Sequence, residues 1–188
     1  MPTVRAFIAI DIPSLVREKI AVLQTSFKIP GLGVSWVKPS NFHLTLKFLG
    51  NVNSDRIPVI KERLKVALAS VPRFLTSVGG VGVFPAPERP RVLWVGLENT
   101  SSLADLQKKV DVALEQVGFK PETKIFSAHL TLGRIKSGQT VLQNALEKTQ
   151  KIESGPFEIS AVTLYESQLT REGSIYTVLE EFKLDAPA

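Results

Sequence analysis

The sequence predicts one compact domain, or two small lobes that share a core, in which helices and strands alternate along the whole chain. Its 188 residues are 44% hydrophobic and 22% charged, which suits a packed core better than a long disordered region. Apolar residues at helical spacing alternate with stretches rich in β-branched residues. In addition, the two histidines occupy the same four-residue motif, which indicates two halves of similar construction.

Four segments carry apolar residues at the spacing of one helix face. We predict helices over residues 15–27, 57–68, 103–117 and 141–149. The second helix is expected to be capped by Ser54 and to tolerate Pro58 in its first turn, where a missing N–H is harmless. The third is expected to begin after Ser101 or Ser102 and to end at Gly118.

Stretches rich in β-branched and aromatic residues lie between these helices. We predict strands over residues 4–10, 41–49, 74–83, 92–97, 124–135, 157–167 and 174–182. The Gly and Pro content of residues 29–39 predicts a mobile rim. The Pro-rich run 84–90 divides the chain into halves of similar order. We interpret residues 1–188 as a single domain with internal repeat halves of approximately 1–84 and 91–167.

Composition limits the chemistry that the chain can perform. Because there is no cysteine, a disulfide, a thiolate metal site and a cysteine nucleophile are excluded. The formal net charge is +5 and the isoelectric point is near 9.5, which favours an anionic partner without identifying it. No segment approaches the ~18 consecutive apolar residues of a membrane span, and the first residues lack the pattern of a secretory signal. We therefore expect no membrane association and a cytoplasmic location.

Both histidines begin the tetrapeptide His-Leu-Thr-Leu, at residues 43–46 and 129–132. At average residue usage, a chance repeat of the three residues after the histidine has a probability on the order of one in a thousand. The offset between the two motifs also places Arg5 on Arg91, which favours a duplication. In a strand, the histidine and the threonine of each motif point to one face, while the leucines point into the core.

Two imidazoles and two hydroxyls suit acid–base chemistry at phosphorus. Because histidine titrates near pH ~6.5, one ring can act as a base while the other is protonated and acts as an acid. In-line displacement needs these roles on opposite sides of a phosphate, and threonine hydroxyls can donate to its non-bridging oxygens. Two other interpretations stay open. Each motif could be an ordinary solvated strand face, or the histidines could bind a metal, although neither motif carries a carboxylate at ligand spacing.

Further blocks extend the pattern over nearly the whole chain. They are residues 5–10 (RAFIAI), 41–50 (NFHLTLKFLG), 91–97 (RVLWVGL), 128–134 (AHLTLGR) and 164–167 (LYES). With these blocks, the sequence resembles the two-histidine (2H) phosphoesterase superfamily, and within it the RNA 2′,3′-cyclic phosphodiesterases once described as 2′-5′ RNA ligases. The resemblance implies a bilobal α+β fold: two antiparallel β-sheets with helices on their outer faces, and pseudo-two-fold symmetry around a central cleft.

The resemblance also implies an activity and a role for each motif residue. The expected reaction is hydrolysis of a 2′,3′-cyclic phosphate at an RNA end to a 2′-phosphomonoester, with no metal and no other cofactor. His43 would be the proton donor to the departing 3′ oxygen, and His129 the proton acceptor that activates water. Thr45 and Thr131 would hold the phosphate. The order of acid and base comes from the resemblance, because the two tetrapeptides are identical.

Neighbouring residues extend the predicted phosphate site. Lys47 lies two residues after Thr45, so strand alternation places it on the His43 face, near the phosphate. A solvated lysine at the end of a strand is the alternative. Arg134 has the opposite parity and would point away from the cleft, but a bulge or bend at Gly133 would return it there. We predict that it does.

Trp36 and Phe7 are candidates for the rim that contacts a nucleobase. Trp36 could stack on a base or simply cover the core, and Phe7 shares this ambiguity. The expected partner is an RNA or oligonucleotide with a 2′,3′-cyclic phosphate end, tRNA fragments included, and a monomer is expected. Two alternative functions stay open. A 2′-5′ RNA ligase would run the same site in reverse, whereas a nucleotide- or RNA-binding module without catalysis would not need both imidazoles.

Overall fold

The strands and helices follow one another in the predicted order. The computed structural model describes residues 2–149, 154–171 and 173–186. The strands are β1 (Thr3–Asp11), β2 (Gly33–Trp36), β3 (His43–Asn53), β4 (Phe74–Thr76), β5 (Val78–Phe84), β6 (Val92–Leu97), β7 (His129–Ser137), β8 (Phe157–Ile159), β9 (Ala161–Thr170) and β10 (Gly173–Lys183). The helices are α1 (Ser14–Ser26), α2 (Ile57–Leu68), α3 (Thr100–Glu115) and α4 (Gln139–Lys148).

The helices begin and end within a few residues of their predicted limits, but their first turns differ from the prediction. Ser54 lies in a short 3-10 turn before α2 and does not cap the helix, because its hydroxyl donates to the carbonyl of Pro2 (3.0 Å). Helix α3 begins directly after Asn99, whose Oδ1 accepts a hydrogen bond from the Ser102 hydroxyl (3.0 Å). Gly118, with φ of 84°, follows the end of α3 as expected. No helix in the described residues is long and apolar enough to cross a membrane.

Three strand predictions need correction. The predicted strand over residues 124–135 begins only at His129, and residues 124–128 form no strand. The predicted strands over 74–83 and 157–167 are each divided, into β4 and β5 and into β8 and β9. Within residues 29–39, predicted to be a mobile rim, the structure contains strand β2. This strand is held by pairing with β7, a segment far away in the sequence, so the local Gly and Pro content could not predict it.

The main sheet consists of two lobes joined edge to edge. Its strand order is β10-β9-β1-β3-β7-β6-β5, with β2 also paired to β7, and the neighbouring strands are antiparallel. Strands β3 and β7 meet at one pair of residues, Leu44 and Leu130. We call the strands from β10 to β3 the first lobe, and β7, β6, β5 and β2 the second lobe. Strands β4 and β8 form a separate two-stranded sheet. The structure confirms the predicted α+β fold with antiparallel sheets and a bilobal arrangement.

The two lobes do not coincide with the two halves of the sequence. Strands β2 and β5 come from the first half of the chain, yet they pair in the second lobe, with β7 and β6. Conversely, β9 and β10 come from the second half and complete the first lobe beside β1. Each lobe is therefore assembled from both halves, an exchange of strands that the simple order of elements along the chain could not indicate.

One face of the sheet packs on the helices and the other borders a cleft. Alternate residues of β1 show the division: Ile8 belongs to the main hydrophobic cluster, which also contains Ile20 of α1 and Val110 of α3. Phe7, its neighbour in the strand, instead lines the cleft on the opposite face. The helices therefore lie on the faces turned away from the cleft, because their apolar stripes must cover the apolar side of each strand.

Candidate active site

Both His-Leu-Thr-Leu motifs stand at the beginning of a central strand, where the two lobes meet. Leu44 and Leu130 are 0% exposed and form the contact between β3 and β7. The histidines and threonines of the motifs point to the other face and line one cleft of about 350 Å³. Its lining residues are Arg5, Ala6, Phe7, Val37, Asn41, His43, Thr45, Phe48, Gly50, His129, Thr131, Arg134, Ser167, Leu169, Ser174 and Tyr176. The alternation predicted for the motifs thus brings the four polar side chains together.

A backbone carbonyl just before each strand holds the histidine ring in one orientation. Nδ1 of His43 lies 2.7 Å from the carbonyl oxygen of Asn41, and Nδ1 of His129 lies 2.8 Å from that of Ser127. A carbonyl oxygen can only accept, so in both rings Nδ1 carries the proton and donates it. In the neutral ring, Nε2 is then the nitrogen that can accept a proton. The same tautomer at both positions follows from the repeated backbone geometry before each strand.

Aromatic rings pack around both imidazoles. The ring centroid of His43 lies 5.0 Å from that of Phe7 and 5.2 Å from that of Tyr176, which it meets edge-on. The centroid of His129 lies 4.9 Å from that of Phe84, also edge-on. These contacts restrict rotation of the imidazoles. Of these rings, only Phe7 was a candidate from the sequence. Tyr176 and Phe84 arrive from distant strands, and no local signal marks them.

Charged and polar neighbours act on the protonation of His43. Burial lowers the pKa of His43 below the ordinary value of 6.5, whereas the Asn41 carbonyl and the charge of Asp11 raise it and His129 lowers it. Asp11 is the residue of β1 that pairs with His43. Its carboxylate accepts hydrogen bonds from the hydroxyls of Tyr165 (2.6 and 2.8 Å) and Thr163 (3.0 Å). Asp11 was not a candidate from the sequence.

The prediction that Lys47 lies near the phosphate is wrong. A bulge after Thr45 breaks the alternation of β3: Ile8 pairs with Lys47 and the next residue of β1 pairs with Thr45, so Leu46 is extra. Lys47 therefore points to the interior and is 4% exposed. Its ammonium group forms an ion pair with Asp111 of α3 and donates to the carbonyl of Lys120 (2.8 Å).

A matching bulge in β7 brings Arg134 into the cleft. Leu93 pairs with Gly133 and Trp94 pairs with Thr131, so Leu132 is the extra residue. Leu132 and Gly133 are both buried, and Arg134 is exposed and lines the cleft. Glycine is required at this bend, because a Cβ at Gly133 would overlap the side chain of Val34 in β2. The predicted bulge at Gly133 is confirmed, whereas phosphate binding by Arg134 stays a prediction.

The two aromatic candidates occupy different places. Phe7 lines the cleft, but it is 2% exposed and packs against the rings of Phe48 and Tyr176, at centroid distances of 6.0 and 4.9 Å. Trp36 packs partly buried against the core beside Gly133 and is not among the residues that line the cleft. Of the two possibilities stated for Trp36, the structure therefore favours covering the core. Phe48 also lines the cleft and is 64% exposed. Strict alternation from His43 would place its ring on the opposite face of β3, so the sequence did not identify it.

The arrangement supplies two proton-transfer groups and several hydrogen-bond donors, and it is positively charged. In the part of the chain that the structure describes, the residues that line the cleft include Arg5 and Arg134 but no aspartate or glutamate. Within the described part of the chain, no three side chains of the His, Asp and Glu type come together as metal ligands. A cleft of this kind can bind a phosphate and transfer protons on two sides of it.

Comparisons with known proteins agree with this chemistry. A family model described as LigT like Phosphoesterase matches the chain twice, over residues 10–94 and 95–176. A protein of Methanothermobacter thermautotrophicus named RNA 2′,3′-cyclic phosphodiesterase is 37% identical over 183 residues, 96% of this chain and 99% of the relative. A protein of the same name from Aquifex aeolicus is 37% identical, over 98% of this chain and 99% of the relative.

Solved structures show the same architecture. TT0787 of Thermus thermophilus matches with a TM-score of 0.80 and 26% identity, over 97% of this chain and 98% of that one. E. coli LigT complexed with 3′-AMP matches with a TM-score of 0.81 and 25% identity, over 97% and 99% of the two chains. The fold and the paired motifs are those of two-histidine phosphoesterases. The chain belongs to the LigT-like phosphoesterase family and is a hydrolase of phosphodiester bonds.

Proposed function

We propose that the chain hydrolyses the 2′,3′-cyclic phosphate at an RNA end to a 2′-phosphomonoester by general acid–base catalysis without a metal. The observation that carries the proposal is the placement of His43 and His129 in one cleft, each with Nδ1 bound to a backbone carbonyl. Two rings in this tautomer offer two Nε2 atoms for proton transfer. The names of the relatives from M. thermautotrophicus and A. aeolicus support the same substrate.

The proposed reaction is one displacement at phosphorus. Nε2 of His129 takes a proton from water as the water oxygen bonds to phosphorus. The bond from phosphorus to the 3′ oxygen breaks, and Nε2 of protonated His43 gives its proton to that oxygen. The phosphate stays on the 2′ oxygen. The carboxylate of Asp11 beside His43 supports the acid role there, because it favours the protonated ring.

Three further side chains are proposed to stabilise the phosphate. The hydroxyls of Thr45 and Thr131 donate to the non-bridging oxygens from the two lobes. Arg134, brought to the cleft by its bulge, compensates the charge that develops on these oxygens. None of these steps needs a metal, since protonated imidazole, hydroxyl and guanidinium groups supply the required donors.

The cellular setting is proposed on less specific grounds. The net charge of +5 supports an RNA substrate, tRNA fragments included, because phosphate backbones attract such a surface. The monomeric state stays a prediction. The cytoplasmic location stays a prediction, and so does the internal repeat with halves of about 1–84 and 91–167.

The test is incubation with an RNA that ends in a 2′,3′-cyclic phosphate, in the presence of EDTA, with the retained phosphate located by 31P NMR. We expect a 2′-phosphate product, a bell-shaped pH profile, and a loss of kcat/KM of about 10²–10⁴-fold in His43→Ala and in His129→Ala. Near-normal turnover in both variants would overturn the mechanism. A 3′-phosphate product would mean that the 2′ oxygen, and not the 3′ oxygen, is the leaving group. RNA joined through 2′-5′ linkages would favour the ligase alternative. Tight binding of the RNA without turnover would favour a binding module.

A further inference from the structure

The cleft extends from the histidines along the first lobe. The second lobe contributes His129, Thr131 and Arg134 to its lining, all of them from β7. Most of the remaining lining comes from β1, β3, β9 and β10. A cyclic phosphate held between the two motifs therefore leaves the rest of its nucleotide over the first lobe.

Arg5 stands at the far end of this extension. Along β1, Ala9 pairs with Thr45, Phe7 pairs with Phe48, and Arg5 lies two residues further on the same face. At the usual rise of a strand, the Cα atoms of Arg5 and Ala9 are about 13 Å apart. Because an arginine side chain is long and Arg5 lines the same cleft, its guanidinium group can reach several ångströms back toward the phosphate site. With the side chain extended in that direction, the separation from the phosphate site would approach the length of one nucleotide.

The chemistry at this end of the cleft suits a second phosphate. Arg5 is exposed, lines the cleft and takes part in none of the ion pairs found in the described residues. Ser167, which also lines the cleft, follows the partner of Ala6 in β9 and adds a hydroxyl donor beside it. Among the described residues that line the cleft there is no carboxylate to compete for the guanidinium group.

An apolar surface separates the two cationic ends. The exposed ring of Phe48 packs next to Phe7, with 6.0 Å between the ring centroids. Its partner in β1 is Phe7, which lies between Arg5 and the residue that pairs with Thr45. Such a ring suits the flat face of a nucleoside. The order along the first lobe is then phosphate, nucleoside, phosphate.

From this order we propose that Arg5 binds the 5′-phosphate of the terminal nucleotide, so that the site takes the end of a nucleotide chain in preference to a nucleoside cyclic phosphate. The inference rests on the function proposed above, since it assigns the next phosphate along the same substrate. It assigns Arg5 a role in binding and in substrate selection, and none in proton transfer.

Two small substrates that differ only in this phosphate test the inference. They are adenosine 2′,3′-cyclic phosphate and the same compound with a 5′-phosphate. We expect kcat/KM to be about tenfold higher with the 5′-phosphate, the scale of one charge-assisted hydrogen bond, and this preference to shrink as salt rises. Arg5→Gln should lower kcat/KM for the 5′-phosphorylated compound about tenfold more than for the other.

Arg91→Gln is the matched control. Arg91 corresponds to Arg5 in the other half of the sequence, is exposed, and does not line the cleft, so the variant has the same net charge and should keep the preference. The inference is overturned if the protein hydrolyses both compounds but Arg5→Gln keeps the preference for the 5′-phosphate. It is also overturned if Arg91→Gln loses that preference as fully as Arg5→Gln does. If wild-type protein hydrolyses neither these compounds nor a longer RNA with a cyclic end, the proposed function itself is wrong.

Discussion

Opposing influences act on the ring of His43. Burial lowers its pKa, the Asn41 carbonyl and the charge of Asp11 raise it, and His129 lowers it, with a net shift below 6.5. A neutral ring with its one proton on Nδ1 has no proton on Nε2 to give to the leaving oxygen. A phosphate anion bound in the cleft would raise the pKa of His43 in the complex, as an opposite charge does at short range, and would thereby favour the proposed acid role.

We expect the ring of His43 to titrate below pH 6.5 in the free protein and at higher pH once inorganic phosphate is bound. NMR of the imidazole protons measures both midpoints. Because the chain has two histidines, comparison with His129→Gln identifies which wild-type signal belongs to His43. A free-protein midpoint above 6.5, or one that phosphate leaves in place, contradicts the expectation.

The same shift has a consequence for stability. Between the lowered pKa of folded His43 and 6.5, the unfolded chain binds more protons than the folded one. The free energy of unfolding should therefore fall as the pH drops through this window. The fall should be smaller in His43→Gln, which has no proton to bind at this position.

At the scale of elements, two bulges decide which side chains enter the cleft. Strand alternation correctly placed the histidine and threonine of each motif, because the residues up to the threonine follow a regular pleat. The bulge of β7 could be predicted because Gly133 marks it. The bulge of β3 at Leu46 has no glycine to mark it, so strict alternation placed Lys47 in the cleft and Phe48 on the opposite face. Tyr176 and Phe84 could not be predicted, since the register of distant strands brings them in.

The buried pair of Lys47 and Asp111 joins β3 to α3 directly behind the cleft. The side chains are 2% and 11% exposed, and the Asp111 carboxylate also accepts from the backbone N–H of Glu122 (2.8 Å). We expect Lys47→Met to lower the free energy of unfolding by about 3–5 kcal/mol, because it leaves a buried carboxylate without its cation. Urea unfolding measures the loss.

A surface ion pair provides the comparison for Lys47→Met. Lys61 and Glu180 lie 3.1 Å apart, with side chains 32% and 45% exposed. Lys61→Met makes the same chemical change at this screened site and should cost less than about 1 kcal/mol. Equal losses of unfolding free energy in the two variants would show that burial does not increase the cost of breaking the Lys47–Asp111 pair.

For the whole molecule, the exchange of strands between lobes predicts a single unfolding transition. Each lobe contains strands from both halves of the chain: β2 and β5 complete the second lobe, and β9 and β10 complete the first. Unfolding of either half therefore removes strands from both lobes. We expect the two lobes to unfold at the same urea concentration.

The aromatic residues allow each lobe to be followed separately. Trp36 and Trp94, in β2 and β6, are the two tryptophans of the chain and report on the second lobe by fluorescence. Tyr165 and Tyr176, in β9 and β10, are its two tyrosines and report on the first lobe by 19F NMR after fluorotyrosine labelling. Two separated midpoints would mean that the lobes unfold independently.

The exchange of strands also sets an order for biosynthesis. While the chain is being made, β1 and β3 are among the first strands to leave the ribosome, but β9, which covers the other edge of β1, is among the last. Until β9 arrives, that edge of β1 has no partner in the growing chain. His43 is then present without the Tyr176 ring that later packs against it. A nascent chain with both histidines already synthesised therefore still lacks a finished cleft, and the site matures only with the last strands.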